Sequence, residues 1–211
     1  MMFASRTDAG QKLGQLLRDE GAEADLVLGL PRGGVVVAAE VARVLERPLD
    51  VLVVRKIGHP RSREFAVGAM AEPDVVILDD ESLAHNPVNR ARLEEIIAEE
   101  TRRLRDYSMR FHRHAPPNLA TKSLLLVDDG LATGATMEAA VFAARKQTAR
   151  TLTVAVPVAS VSAMERLARV ADGVKALRVD EDFQAVGQYY REFSQTSDEE
   201  VIALLETLAR P

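Results

Sequence analysis

The chain contains no cysteine. That excludes a disulfide framework and any zinc centre built on thiolates, and it fits a reducing compartment. Tryptophan is missing too, and the aromatics amount to six Phe and three Tyr. No apolar run approaches the roughly 20 residues that cross a bilayer, and the N-terminal stretch MMFASRTDAGQKLG holds no apolar segment of signal-peptide length. A cytoplasmic location, away from membranes, is therefore expected. Excess positive charge is absent as well: 27 Lys and Arg stand against 32 Asp and Glu, a net charge of -5, which argues against a broad electrostatic footprint for nucleic acid. Nor does any low-complexity stretch divide the 211 residues, of which 47% are hydrophobic. One domain spanning 1–211, with a small molecule as its partner, is the expectation.

What is present is a series of short runs rich in Val, Leu and Ile: DLVLGL from Asp25, DVLVVR from Asp50, VVIL from Val75, SLLLVDD from Ser123, LTVAVPV from Leu152 and VKALRV from Val174. Uninterrupted runs of this length predict strands buried on both faces, as in a parallel sheet. Helical spacing of apolar residues predicts helices over Gly34–Leu45, Asn89–Arg110, Thr136–Thr148 and Ser162–Val170. The alternation gives a doubly wound α/β fold with a mostly parallel sheet. A first helix over Asp8–Glu20 is expected with Asp8 as its cap, and a last one capped by Ser197 or Asp198. In Asn89–Arg110 the residues Leu93, Ile96, Ile97 and Leu104 line one side, and the acids and arginines around them read as a solvated face.

The segment Leu124–Thr136, LLLVDDGLATGAT, concentrates the chemistry. A strand ends in two acids and then enters a small, hydroxyl-bearing turn that starts a helix. Free backbone N–H groups and the positive end of the helix dipole suit a phosphate dianion at Thr133-Gly134-Ala135-Thr136. Asp128 and Asp129 stand a few residues before it, about the distance between a sugar 5-phosphate and the same sugar's 2′ and 3′ hydroxyls. Each half alone has a plain explanation, acids that favour a turn and an ordinary helix start. Their direct junction is what points to a sugar phosphate.

This segment resembles the signature of the type I phosphoribosyltransferases: a hydrophobic strand, two acids, two or three mostly apolar residues, then T-G-x-T. The resemblance implies that Asp128 and Asp129 hold the ribose hydroxyls and take part in binding magnesium, and that Leu131, Ala132, Thr133, Gly134, Ala135 and Thr136 hold the 5-phosphate. It also assigns GLPRGG, with Arg32, Gly33 and Gly34, to the pyrophosphate loop, and Arg55 and Lys56 to the leaving group as catalytic cations. The rest of 55–68, including Arg61, Arg63 and Glu64, is then a mobile loop closing over the substrates, and the Pro31–Arg32 peptide bond is cis. The implied activity is transfer of a 5-phosphoribosyl group between phosphoribosyl pyrophosphate and a nitrogenous base, with Mg2+ and release of pyrophosphate. A regulatory module that binds phosphoribosyl pyrophosphate or a nucleotide without turnover uses the same groups and stays open. A phosphatase or kinase with Asp128 as nucleophile lacks any matching nucleotide loop.

In the same terms the core spans about 25–180, a helical insertion covers 89–115, and 181–211 forms a hood together with the N-terminal helix. The type of base and the oligomeric state stay open, a homodimer included. Ala132 stands where hypoxanthine-guanine members carry an acid, and R-K-x-G at Arg55–Gly58 is closer to the adenine-type branch. Phe183, Tyr189, Tyr190 and Phe193 in the tail either stack on a base or pack the hood onto the core. Asp79, Asp80 and Glu81 read as a surface turn, and His112, Arg113 and His114 as a solvated loop with no carboxylate spaced to complete a metal site.

Overall fold

The computed structural model describes residues 2–73, 75–85, 87–112 and 116–208, apart from the side chains of 62–66, 81 and 82. In chain order its elements begin with α1 (Arg6–Asp19), β1 (Leu26–Gly29), α2 (Gly33–Leu45), β2 (Leu49–Val51), β3 (Val54–His59), β4 (Ser62–Ala71) and β5 (Val75–Leu78). Then come α3 (Asp80–His85), α4 (Arg90–Phe111), β6 (Ser123–Val127), α5 (Ala135–Lys146), β7 (Thr151–Ser160) and α6 (Val161–Leu167). The chain continues through β8 (Gly173–Asp180), a short 3₁₀ turn (Val186–Tyr189) and α7 (Asp198–Leu208).

Five strands form a wholly parallel sheet in the order β2-β1-β6-β7-β8. The period-two alternation of strands explains why their sequences are apolar throughout. Leu26, Leu28, Leu124 and Leu126 face the core under α5 and α6, while Val27, Leu125 and Val127 face the one under α1, α2, α4 and α7. Both faces are thus covered by helices, as the uninterrupted runs predict.

Two expectations need correction. The VVIL run and the second half of DVLVVR leave the parallel sheet and join β4 in a separate antiparallel sheet, β3-β4-β5. The stretch 55–68 is accordingly strand for most of its length. Its glycines resemble loop punctuation but mark other things: Gly58 sits at a register shift between β3 and β4, and a Cβ on Gly68 would stand 2.4 Å from the Ile77 carbonyl oxygen. The first helix also starts earlier than expected. Ser5 is its cap, accepting from the Asp8 amide at 3.3 Å, and Asp8 answers by accepting from Ala4 N–H at 3.0 Å.

After β8, at one edge of the parallel sheet, the chain crosses above the carboxyl ends of the strands. Tyr190 bridges in parallel to Phe3, and α7 comes to rest on α2, α4 and β2 at the opposite edge. Ser197 and Glu200 start α7 as a reciprocal pair, at 2.7 and 3.2 Å. Residues 181–197 therefore form a strap over the end of the sheet where open α/β folds bind ligands.

Candidate functional site

The glycine loop and the acid pair, far apart in sequence, are in contact. A Cβ on Gly33 would lie 2.2 Å from Asp129 Oδ2, and one on Gly34 would lie 2.6 Å from Asp128 Oδ1. Any side chain at either position would push an acid aside, so glycine is what permits the two motifs to meet. The Pro31–Arg32 bond between them and β1 is cis, as the resemblance implies.

Burial beneath the strap raises the proton affinity of both acids. Asp128 is held well above the usual carboxylate range by desolvation and by the neighbouring Asp129 charge. Asp129 is also raised by desolvation, against the pull of the Arg6 guanidinium. Arg6 Nε lies 2.7 Å from Asp129 Oδ2, with 12% and 15% of the two side chains exposed. The Asp128 Oδ1 accepts from the Asp129 amide at 2.8 Å, and the Tyr190 hydroxyl donates to the Asp129 carbonyl at 2.6 Å.

The phosphate-type turn follows at once. Gly134 takes φ 74°, a left-handed conformation that suits glycine, and as the N-cap of α5 it has no side chain to offer. Thr133 Oγ1 accepts from the Ala135 amide over a long 3.4 Å, and the amides that follow have no side-chain acceptor among the described residues and can face an anion. Ala132 and Thr133 are exposed, and Ala135 and Thr136 are half-buried. Leu131 differs from its expected role: its backbone pairs with Val158 and Ser160 and its side chain is core. The turn borders a cleft of about 720 Å³ that Lys56, Asp79 and Arg166 also line. On its other side Ala132 and Thr133 border a second hollow of about 470 Å³, with Ser160, Phe183 and Gln184.

The expected cations are divided. Arg55 and Lys56 are neighbours on β3 and therefore point to opposite faces. Lys56 is exposed and lines the cleft beside Thr133. Arg55 turns to α4, where its Nε lies 2.8 Å from Glu100, an acid with only 8% of its side chain exposed. Glu100 is thus not part of a solvated face. Arg32 reaches toward Asp198 at the start of α7, at 3.8 Å. Among residues flagged only for their sequence, Asp79 faces Arg166 at 3.5 Å in the cleft rather than forming a plain surface turn. His112 is buried, with Nε2 at 2.9 Å from Glu72 and Nδ1 at 3.6 Å from Asp50; those carboxylates come from β2 and the end of β4, which local spacing does not reveal. Arg113 and His114 lie outside the described residues, as do the side chains of Arg63 and Glu64. The tail aromatics divide: Tyr189 and Tyr190 join Phe3 in a buried cluster, whereas Phe183 is half-buried at the second hollow and Phe193 is partly exposed.

No motif in the sequence contains Arg6. One signal pointed to it: an arginine in the first turn of a helix sits at the positive end of the dipole, where acids are favoured.

A profile of the phosphoribosyl transferase domain matches residues 4–192. The chain belongs to the phosphoribosyl transferase domain family. Two Mycobacterium tuberculosis proteins provisionally named phosphoribosyl transferases are 42% identical to it over 210 residues, 99% of this chain and 47% of theirs. The chain spans about half the length of these curated relatives. A crystal structure from Thermus thermophilus is 44% identical, covers both chains completely and superposes with a TM-score of 0.85. A Neisseria gonorrhoeae protein solved with bound ppGpp shares the fold, with a TM-score of 0.52 at 18% identity over 98% of this chain and 96% of that one. The glycine loop, the acid pair and the turn all fall within the stretch that matches the family.

Proposed function

We propose that this phosphoribosyl transferase domain moves the 5-phosphoribosyl group between phosphoribosyl pyrophosphate and a nitrogenous base, with Mg2+ and release of pyrophosphate. The observation that carries the proposal is the contact of Gly33 and Gly34 with Asp129 and Asp128, a few residues ahead in the chain of the glycine-capped start of α5. It supplies three adjacent subsites: backbone donors of the glycine loop for pyrophosphate, two carboxylates for ribose hydroxyls, and the Thr133–Thr136 amides for the 5-phosphate.

The donor set fits magnesium. Among the described residues no three acids or histidines cluster as a metal cage, and Mg2+ needs only one or two carboxylates when phosphate oxygens and water complete its shell. Asp128 and Asp129 are those carboxylates, and the ion, when bound, neutralises charge on the departing pyrophosphate. The rest falls to the chain. The turn anchors the 5-phosphate, the acids accept from the 2′ and 3′ hydroxyls, and Lys56 sets positive charge toward the cleft. With both ends of the sugar held, C1 is presented to a base on one side while pyrophosphate leaves on the other, so positioning and charge do the catalysis. The hollow lined by Ala132, Phe183 and Gln184 adjoins the turn and is the assigned place for the base.

A second reading draws on Arg55. Its pairing with Glu100 removes one of the two expected cations from the cleft, which suits a module that binds phosphoribosyl pyrophosphate or a nucleotide without turnover. Incubation with phosphoribosyl pyrophosphate, Mg2+ and a panel of purine and pyrimidine bases, followed by pyrophosphate release, separates the two. Base-dependent release that requires Mg2+ is expected. Binding without release supports the regulatory reading, and absence of binding overturns both.

A further inference from the structure

We propose that Arg6 is a positioning residue that fixes Asp129 and the strap segment 189–194 in one arrangement facing the ligand; this rests on the assignment of Asp129 to the ribose subsite.

A single guanidinium joins three parts of the chain. Its Nε donates to Asp129 Oδ2 at 2.7 Å and its Nη1 to the Ser194 carbonyl at 2.7 Å. Its flat face lies 3.9 Å from the centre of the Phe193 ring. Two in-plane donors and a stacking face are what arginine has and lysine lacks. The side chain is 12% exposed, so these contacts are made largely out of water, where they are strongest.

The backbone around Arg6 is tied to the same segment. Phe3 N–H donates to Tyr189 at 2.8 Å, Arg191 N–H to Phe3 at 2.9 Å and Glu192 N–H to Ala4 at 3.0 Å. The start of α1 and the strap are thus one unit, and this unit reaches Asp129 twice: through Arg6 at the carboxylate and through Tyr190 at the carbonyl. No other side chain among the described residues bonds the Asp129 carboxylate. The glycine loop makes room for the arrangement, because a Cβ on Gly33 would stand 2.6 Å from Arg6 Nε. An arginine placed only to fasten the tail would not need to sit between the acid and the glycine loop. Its position at the unfavourable end of the α1 dipole is offset by Asp129, an acid 123 residues away.

The test is calorimetric titration with phosphoribosyl pyrophosphate and Mg2+, beside thermal melts, on the whole chain. Arg6→Gln is expected to weaken binding on the order of 10- to 100-fold, and Arg6→Lys to recover part of the loss. In an Asp129→Asn background, Arg6→Gln is expected to add less than about 3-fold, because the group it orients has lost its charge. Phe193→Ala keeps the guanidinium but removes its stack; a loss of about 3- to 10-fold is expected, and this variant carries the test if Arg6→Gln fails to fold. Native-like affinity in Arg6→Gln or, if that variant does not fold, in Phe193→Ala overturns the proposal. So does a loss of equal size with and without Asp129. If the native chain binds no phosphoribosyl pyrophosphate, both this proposal and the ribose assignment fall; if it binds and only the Arg6 arms fail, the ribose assignment stands.

Discussion

The helices α1, α4, α6 and α7 each begin under a side-chain cap: Ser5, Asn89, Ser160 and Ser197 accept from amides of the first turn. At α2 and α5 the N-cap residues, Arg32 and Gly134, make no such bond, and only a long 3.4 Å contact from Thr133 Oγ1 reaches the first amide of α5. These two helices follow β1 and β6, neighbouring strands at the middle of the parallel sheet. The start of α2 meets the acid pair and the start of α5 borders the cleft; at both, the N-cap residue leaves amides that an anion from outside can take, whereas α6, whose start also borders the cleft, is capped by Ser160. On the proposed function the starts of α2 and α5 serve the ligand and the side-chain-capped starts of α1, α4 and α7 serve stability, and substitutions should separate the two.

The largest effect is expected next to the starts of α2 and α5. Asp128→Asn with Asp129→Asn removes two charge-assisted acceptors, and affinity for phosphoribosyl pyrophosphate should fall by a factor on the order of 10² to 10⁴ by calorimetry. The melting temperature at pH 7 should equal or exceed the native value. Because both folded carboxyls have raised proton affinity, ionisation costs the fold stability above their folded pKa values and costs nothing below about pH 4, so the advantage of the neutral variant should vanish as the pH falls to that point. An unchanged affinity would make the acids structural and dissolve the contrast.

Gly134→Asp is the next test. Aspartate tolerates a left-handed backbone better than most residues and suits a helix start, so the melt should shift by no more than a few degrees. Its charge would occupy the place of the phosphate, and affinity for inorganic phosphate or phosphoribosyl pyrophosphate should drop about 10- to 100-fold.

At a capped helix the pattern should invert. Asn89 accepts from Ala91 and Arg92 amides at 2.9 and 3.4 Å. Asn89→Ala should cost about 1 kcal/mol, or about 2–4 °C in melting temperature, with ligand affinity unchanged.

The smallest effect is expected at the other end of α4, where His112 is the C-cap. Burial pulls its proton affinity down, but the hydrogen bond and charge of Glu72, with Asp50 behind, outweigh this and leave it raised. A raised folded pKa gives stability that is complete below the unfolded value of about 6.5 and is lost as pH rises through the folded one. His112→Gln should therefore cost about 0.5–1 kcal/mol more at pH 6 than at pH 9 in denaturant melts. A cost that does not vary with pH would mean that the imidazole acts there only by its shape.

How much of this was legible depended on distance along the chain. The parallel sheet and its helices were written locally, in apolar runs and helical spacing, and so were the acids and the turn of Leu124–Thr136. The antiparallel sheet was not, because Gly58 and Gly68 carry the same letters whether they mark a loop, a bulge or a close approach of strands. In sequence Arg55 and Lys56 look like equivalent cations, although a strand sends neighbours to opposite faces and Glu100, on a different element, claims one of them. Asp50, Glu72 and His112, like Arg6 and Asp129, are pairings between segments that only the fold brings together. Composition and periodicity hold no record of such partners.

The crossing of the strap bears on the order in which this molecule becomes competent. The Arg6 bond to Ser194 closes a loop of 188 residues, whereas the glycine loop, the acids and the turn all lie within the first 136. Contacts of such long range incur their entropic cost late in folding. A chain still being synthesised can assemble the sheet and the turn ahead of α5 before residue 194 has emerged, but the unit of α1 and strap that holds Asp129 stays open until the final crossing is made. On the proposed role of Arg6, ligand recognition follows the sheet, and tight binding in itself reports that the strap has been laid across it.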